Sequence, residues 1–318
     1  LAAEVALAYI GLRSAQARLA IADANLAVQL ETLQITQWRV QAGLASSLDS
    51  EQARSAAEQT RAQLPALQTS IEQSRHALAV LTGRPPAALA GDLAASALLP
   101  AAQPELALSL PADTLRQRPD VRAAEFQVSA AAARVSQADA ARLPSFKLSG
   151  TLGLNALTLG SLTGGAALAS SLLAGVSLPV FDGGALRAQV RAEEAALAQA
   201  QASYRGTVLT ALQEVEDALV ALRGDRERQA RLQQAADAAG NAALLARQRY
   251  GSGLVDFQTV LDTQRTQLGT QDSVASASAD IAADHVRLYK ALGGGWSPDA
   301  LASTEPTLGA LAPTITRP

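Results

Sequence analysis

Asp262 and Arg265 stand three residues apart in a helical stretch, so their side chains share a face and can pair. Asp262 lies past the first turn of that stretch, where no orphan amide needs a capping carboxylate. Gathered about an axis from three copies, it would form a carboxylate ring. Such a ring selects cations and couples opening to charge or pH. Asp256 and Asp49 flank two tight turns, and helix capping accounts for both. Catalytic residue types are scarce. His76 and His285 are the only histidines, and Asp284, beside His285, points to a different side of a helix. There is no Cys, which excludes thiol catalysis, disulfides and Cys-based zinc sites. Gly293-Gly294-Gly295 follows a helix and precedes no Gly-Lys-Ser/Thr, so no phosphate loop is expected, and Gly164-Gly165 reads as a strand turn. The mixed charges of Arg223-Gly224-Asp225-Arg226-Glu227-Arg228 describe a solvated face. No enzyme, metal or cofactor is expected.

The elements that carry these residues repeat at an offset of 210. Glu4-Val5 returns as Glu214-Val215, Leu12-Arg13 as Leu222-Arg223, and Leu78 and Gly83 as Leu288 and Gly293. Arg39-x-x-x-Gly43-Leu44 returns as Arg249-x-x-x-Gly253-Leu254. A repeat this long indicates two similar halves of one molecule rather than a solenoid. Helical spacing predicts a helix over 1–41, a turn at Ala42-Gly43, and one return helix over 48–82 stopped by Gly83-Arg84-Pro85-Pro86. The second copy predicts a helix over 184–250, launched by Asp182-Gly183-Gly184, and a return helix over 258–292. At 1.5 Å per residue the longer one would reach ~100 Å. Its seam is near-heptad, through Leu197, Tyr204, Ala211 and through Val208, Val215, Leu222. Between the copies lie a Pro- and Ala-rich connector, a turn capped by Asp113, and a helix from Pro119 to about Arg142.

Residues 148–181 carry no charge but six Gly and Pro179. From Phe146 to Asn155 apolar and polar residues alternate, with Phe146, Leu148, Leu152 and Leu154 on one side and Lys147, Ser149, Thr151 and Asn155 on the other. A second strand is expected over Ser171–Phe181. Two strands of roughly ten residues with one apolar face fit a membrane barrel; alternation alone fits a half-buried soluble hairpin at least as well. No run of 18 strongly apolar residues appears. The chain is 48% hydrophobic and 3% aromatic, the mixture of long, closely packed helices rather than of a globular enzyme core. Its net charge of -3 offers no basic field for nucleic acid. The expected division is 1–83 (first helical hairpin), 84–119 (connector), 120–143 (helix), 144–182 (β-hairpin), 183–296 (second helical hairpin) and 297–318 (disordered tail). The fold class is mainly α: two long antiparallel coiled-coil hairpins plus one β-hairpin.

Three runs carry a family resemblance: Leu115-Arg116-Gln117-Arg118-Pro119-Asp120-Val121-Arg122-Ala123-Ala124-Glu125, Leu178-Pro179-Val180-Phe181-Asp182-Gly183-Gly184, and Val286-Arg287-Leu288-Tyr289-Lys290-Ala291-Leu292-Gly293-Gly294-Gly295-Trp296. With them the chain resembles outer-membrane efflux factors of the TolC type, in the lipoprotein branch serving resistance–nodulation–division drug pumps. The resemblance covers about residues 1–296. It implies a homotrimer in outer-membrane lipid, with a shared β-barrel and helices that extend into the periplasm as a tunnel. The partners it implies are a periplasmic adaptor and an inner-membrane pump. Adaptor contacts fall on Gly43, Leu44, Gly253 and Leu254, and the periplasmic gate on Asp262, Arg265, Gln258 and Asp256. Gln258 and Thr259 stand where the family often has a second acidic or bulky apolar residue, which implies a weaker seal. By the repeat, Leu1 matches residue 211, so the first copy is expected to lack one strand hairpin, one helix and the export signal. A soluble coiled-coil scaffold without a pore is the alternative that the residues leave open.

Overall fold

The computed structural model describes residues 1–100, 117–154 and 168–294. The turn expected at Asp113, Gly164-Gly165 and the 297–318 tail lie outside the described residues. Two compact units are present: 1–115 with 212–318, and 116–211.

In the first unit, α1 spans Ala2–Gln41 without a break. Its end is closed by Gly43 at φ 71°, a left-handed conformation that favours glycine. The Gly43 amide donates to the Val40 carbonyl (3.0 Å) and the Leu44 amide to that of Arg39 (2.7 Å), the paired bonds of a Schellman ending. The helix α2, Ser47–Arg61, starts from a capping box in which Ser46 and Asp49 each accept the other's main-chain amide. The single return helix expected over 48–82 is broken in two: α2 stops at Arg61, and α3 runs over Leu64–Leu81. Pro65 is the cause. It lacks an amide, and its ring would meet the carbonyl four residues back, at Arg61, so it is tolerated only in the first turn of a new helix. After Gly83, the described part of the connector holds a short 3-10 turn over Pro86–Leu89.

The core of this unit is built twice. Val5, Ala8, Leu12, Ile71 and Leu78 cluster between α1 and α3. Adding 210 to each number gives Val215, Ala218, Leu222, Ile281 and Leu288, which form the second cluster. Leu12 is 0% and Leu222 3% exposed. We expect Leu12→Ala and Leu222→Ala each to cost about 2–5 kcal/mol, because a cavity replaces a filled site. Urea titration of the two variants should give similar losses; a loss at one site alone would show that the clusters are not equivalent.

In the second unit, α4 spans Pro119–Ala140. Arg118 clasps the Asp120 carboxylate with two bonds, at 3.0 and 2.7 Å, and holds its pKa below the usual carboxylate range. Strands β1, Ser145–Leu154, and β2, Leu168–Ser177, pair antiparallel, Ser145 opposite Ser177. The second strand ends before Leu178-Pro179, four residues short of the expected Phe181, since proline cannot donate to a ladder. The helix α5 is 67 residues long, Ala185–Gly251, and contributes to both units. Its seam residues Ala211, Val215 and Leu222 are buried, and Leu197, Tyr204 and Val208 are half-buried. The last helix, α6, covers Phe257–Ala291 and ends at Gly293, φ 77°. No helix among the described residues is long and apolar enough to cross a membrane.

Candidate functional site

Two places hold the residues singled out from the sequence: the helical tips and the β-hairpin. At the tips, Gly253 closes α5 as Gly43 closes α1. Its φ is 73°, its amide reaches the Tyr250 carbonyl (3.0 Å), and the Leu254 amide reaches that of Arg249 (2.9 Å). Identical endings leave Leu44 and Leu254 with the same freedom. They are 70% and 73% exposed, so each turn presents one bare leucine. Below them, the Tyr250 and Phe257 rings meet at 5.3 Å, tilted by 52°, over a small core with Val260, Leu261 and Ala246.

Asp256 is the N-cap of α6. Its Oδ1 accepts from the Thr259 amide (2.8 Å) and hydroxyl (2.5 Å), and these bonds hold its pKa below the usual value. Because the folded value is depressed, the cap stabilises above the unfolded pKa and is lost as pH falls through the folded one. The protection factor of the Thr259 amide, its exchange rate taken relative to the intrinsic rate at the same pH, should therefore fall on acidification, and Asp256→Asn should abolish that dependence. An unchanged acid response in the variant would remove Asp256 from the account.

Asp262 sits one turn further into α6, exposed. Its Oδ1 accepts from Gln258 Nε2 at 3.0 Å and lies 4.0 Å from Arg265 Nη1. The structure thus brings Asp262, Arg265 and Gln258 together and leaves Asp256 committed to capping. An exposed ion pair at that distance contributes at most about 1 kcal/mol. Asp262 and Arg265 therefore remain available to groups from outside the chain. The Asp284–His285 neighbours diverge: Asp284 accepts from Arg287 (2.6 Å), while His285 Nε2 faces Arg226 (3.1 Å). Burial raises the Asp284 pKa and, with the Arg226 charge, lowers that of His285.

One feature escapes the sequence reading. Arg39 enters it only as a mark of the repeat. In the structure its Nη1 donates to the Tyr250 carbonyl (3.1 Å) and its guanidinium lies over the Tyr250 ring at 4.4 Å. Asp182 caps α5 by accepting the amides of Gly184 (3.0 Å) and Leu186 (2.7 Å), which lower its pKa. This is the launch that Asp182-Gly183-Gly184 signals in the sequence, with the carboxylate now seen as its cap.

The β-hairpin sorts its faces by register. Phe146, Leu148 and Leu152 share a face with Leu172 and Val176, because Phe146 opposes Val176 and Gly150 opposes Leu172. All five are exposed, and Ser170, opposite Leu152, is the polar exception on this face. Lys147, Ser149 and Thr151 share the other face with Ser171 and Gly175, with Leu173 the apolar exception. Thr151 and Ser171 hydroxyls meet there at 2.6 Å. A bare apolar ribbon backed by a polar one is what a barrel strand pair needs when lipid takes one side and water the other.

The outer membrane efflux protein model matches residues 1–84 and 110–294, most of the chain. The chain belongs to that family. Nodulation protein T of Rhizobium leguminosarum bv. viciae is 35% identical over 295 residues, covering 93% of this chain. The toluene efflux pump outer membrane protein TtgF of Pseudomonas putida is 36% identical over 299 residues, again 93% of the chain. This chain spans 61% of the length of each. Among solved structures, the outer-membrane channel OprN superposes with a TM-score of 0.85 at 38% identity, covering 93% of this chain and 66% of that one. Its fold, long helices with a β-hairpin, is the TolC-like channel fold expected from the sequence.

Proposed function

We propose that this chain is part of a trimeric outer-membrane duct of a tripartite efflux system, passing drugs or other small molecules outward without chemistry of its own. The observation that carries this is the β-hairpin: two ten-residue strands with an exposed face that is apolar but for Ser170, in a member of the efflux family. The likeness to a toluene efflux pump component and to an outer-membrane channel supports the same reading. In this reading segment 144–182 enters outer-membrane lipid, 1–83 and 183–296 line a periplasmic tunnel, and 84–119 with 120–143 connect and brace them. Leu44 and Leu254, each presented by its glycine, dock a periplasmic adaptor, which links the duct to an inner-membrane pump. Asp262 is the gate carboxylate, with Arg265 and Gln258 beside it; Asp256 serves that gate by fixing the start of α6.

The test is to purify the full-length protein in detergent and reconstitute it in planar bilayers. A trimer with discrete conductance steps is the expected result; a monodisperse soluble protein that never enters a bilayer would overturn the reading. For the adaptor surface, Leu44→Asp and Leu254→Asp together should cut efflux-dependent drug resistance several-fold at normal expression, because charged tips cannot bury against an apolar partner. Unchanged resistance would exclude the two leucines as contacts.

A further inference from the structure

Among the described residues, five polar ties bind α1 to the second copy inside one chain. Arg18 holds Asp272 (2.6 and 3.0 Å), Asn25 donates to Gln271 (2.8 Å), Gln264 donates to Thr32 (3.0 Å), Arg247 pairs with Glu31 (3.7 Å), and Arg39 donates to the Tyr250 carbonyl (3.1 Å). If quasi-equivalent repeats close a ring of identical chains, the step that carries the first copy to the second must also carry the second copy to the first copy of the next chain. Each tie then has a counterpart across the seam between chains, obtained by moving each residue 210 positions.

Three of these counterparts cannot form. Arg18–Asp272 becomes Arg228–Ala62, Asn25–Gln271 becomes Ala235–Arg61, and Thr32–Gln264 becomes Ala242–Arg54. Alanine offers no side-chain partner, and Arg228 already pairs with Asp280 and Asp225 in its own chain. Two can: Glu31–Arg247 becomes Asn241–Gln37, two side-chain amides able to hydrogen-bond, and the Arg39–Tyr250 tie keeps its charged donor. Arg39 becomes Arg249, an arginine at the same position of the same helix ending. Tyr250 becomes Val40, and the acceptor is a main-chain carbonyl, so the change of side chain removes only the ring contact. The Val40 carbonyl accepts from the Gly43 amide as that of Tyr250 accepts from Gly253, both at 3.0 Å, so the two acceptors are presented alike. Arg249 is exposed, and none of the side-chain bonds described within this chain is made by it.

We propose that Arg249 donates to the Val40 carbonyl of a neighbouring copy of this chain, and that this bond is the charged tie that helps hold the seam between subunits closed at the tip. The inference rests on the trimeric duct reading. With two ties across the seam against five within the chain, the tip parts between subunits before it parts inside one.

The seam can be probed by placing Val40→Cys and Ser252→Cys in the full-length protein, with any free thiol outside this cysteine-free stretch removed, which leaves Arg249 in position. A short bis-maleimide should then produce cross-linked dimers and trimers on denaturing gels. Adding Arg249→Ala should lower their yield several-fold, and Arg249→Lys, which keeps a donor, should lower it less. Light scattering in detergent checks the trimer in every variant. A trimer that does not cross-link, or whose cross-linking ignores Arg249→Ala, overturns the inference and leaves the duct reading standing. A protein that is not a trimer overturns both.

Discussion

Asp262→Ala in the full-length trimer should raise the closed-state conductance several-fold and weaken its preference for cations. Three carboxylates around one axis repel one another and attract counter-ions, so their removal changes both the field and the width of the passage. Asp262→Asn separates the two, because it removes the charge at nearly constant size: selectivity should fall while width stays. Arg265→Ala should do much less. The Asp262–Arg265 pair is exposed and 4.0 Å apart, so breaking it within one chain releases at most about 1 kcal/mol. Single-channel recording with a salt gradient reads both conductance and reversal potential. Unchanged values for Asp262→Ala in an intact trimer would sink the gate assignment, whatever Arg265→Ala does.

The helices were legible because their periodicity and their endings agree. Gly43, Gly83, Gly253 and Gly293 all take positive φ, and each ends a helix where the sequence puts the break. The 210-residue offset also forecasts the core, since Val5, Leu12 and Leu78 find their equivalents in Val215, Leu222 and Leu288. Pro65 was missed because it sits in an otherwise regular apolar pattern, and periodicity is blind to one lost amide. The end of β2 was misplaced for a related reason: Val180 and Phe181 look like strand residues, yet Pro179 has already stopped the ladder. The Arg39–Tyr250 tie was illegible in principle. Its acceptor is a backbone carbonyl 211 positions away, which no residue type announces.

The faces of the hairpin decide between a duct and a soluble scaffold. Leu172 lies midway along β2 on the apolar face, where its Cδ1 covers the bare backbone of Gly150. Ser171, the next residue, lies on the polar face against Thr151. In a barrel, Leu172→Arg would put a charge at mid-depth in lipid, at about 2–4 kcal/mol per subunit. Three distant copies add to about 6–12 kcal/mol per trimer, comparable to the whole stability of a domain. The variant should therefore fail to accumulate in outer-membrane fractions. Ser171→Arg faces the lumen, where water solvates it, so that variant should insert and alter only conductance. A soluble scaffold would treat the two alike, because both sites are exposed and surface changes cost within about 0.5 kcal/mol. Equal tolerance of the two arginines would thus favour the scaffold. A loss confined to Leu172→Arg requires lipid on that face, because no aqueous environment distinguishes two adjacent exposed positions by several kcal/mol.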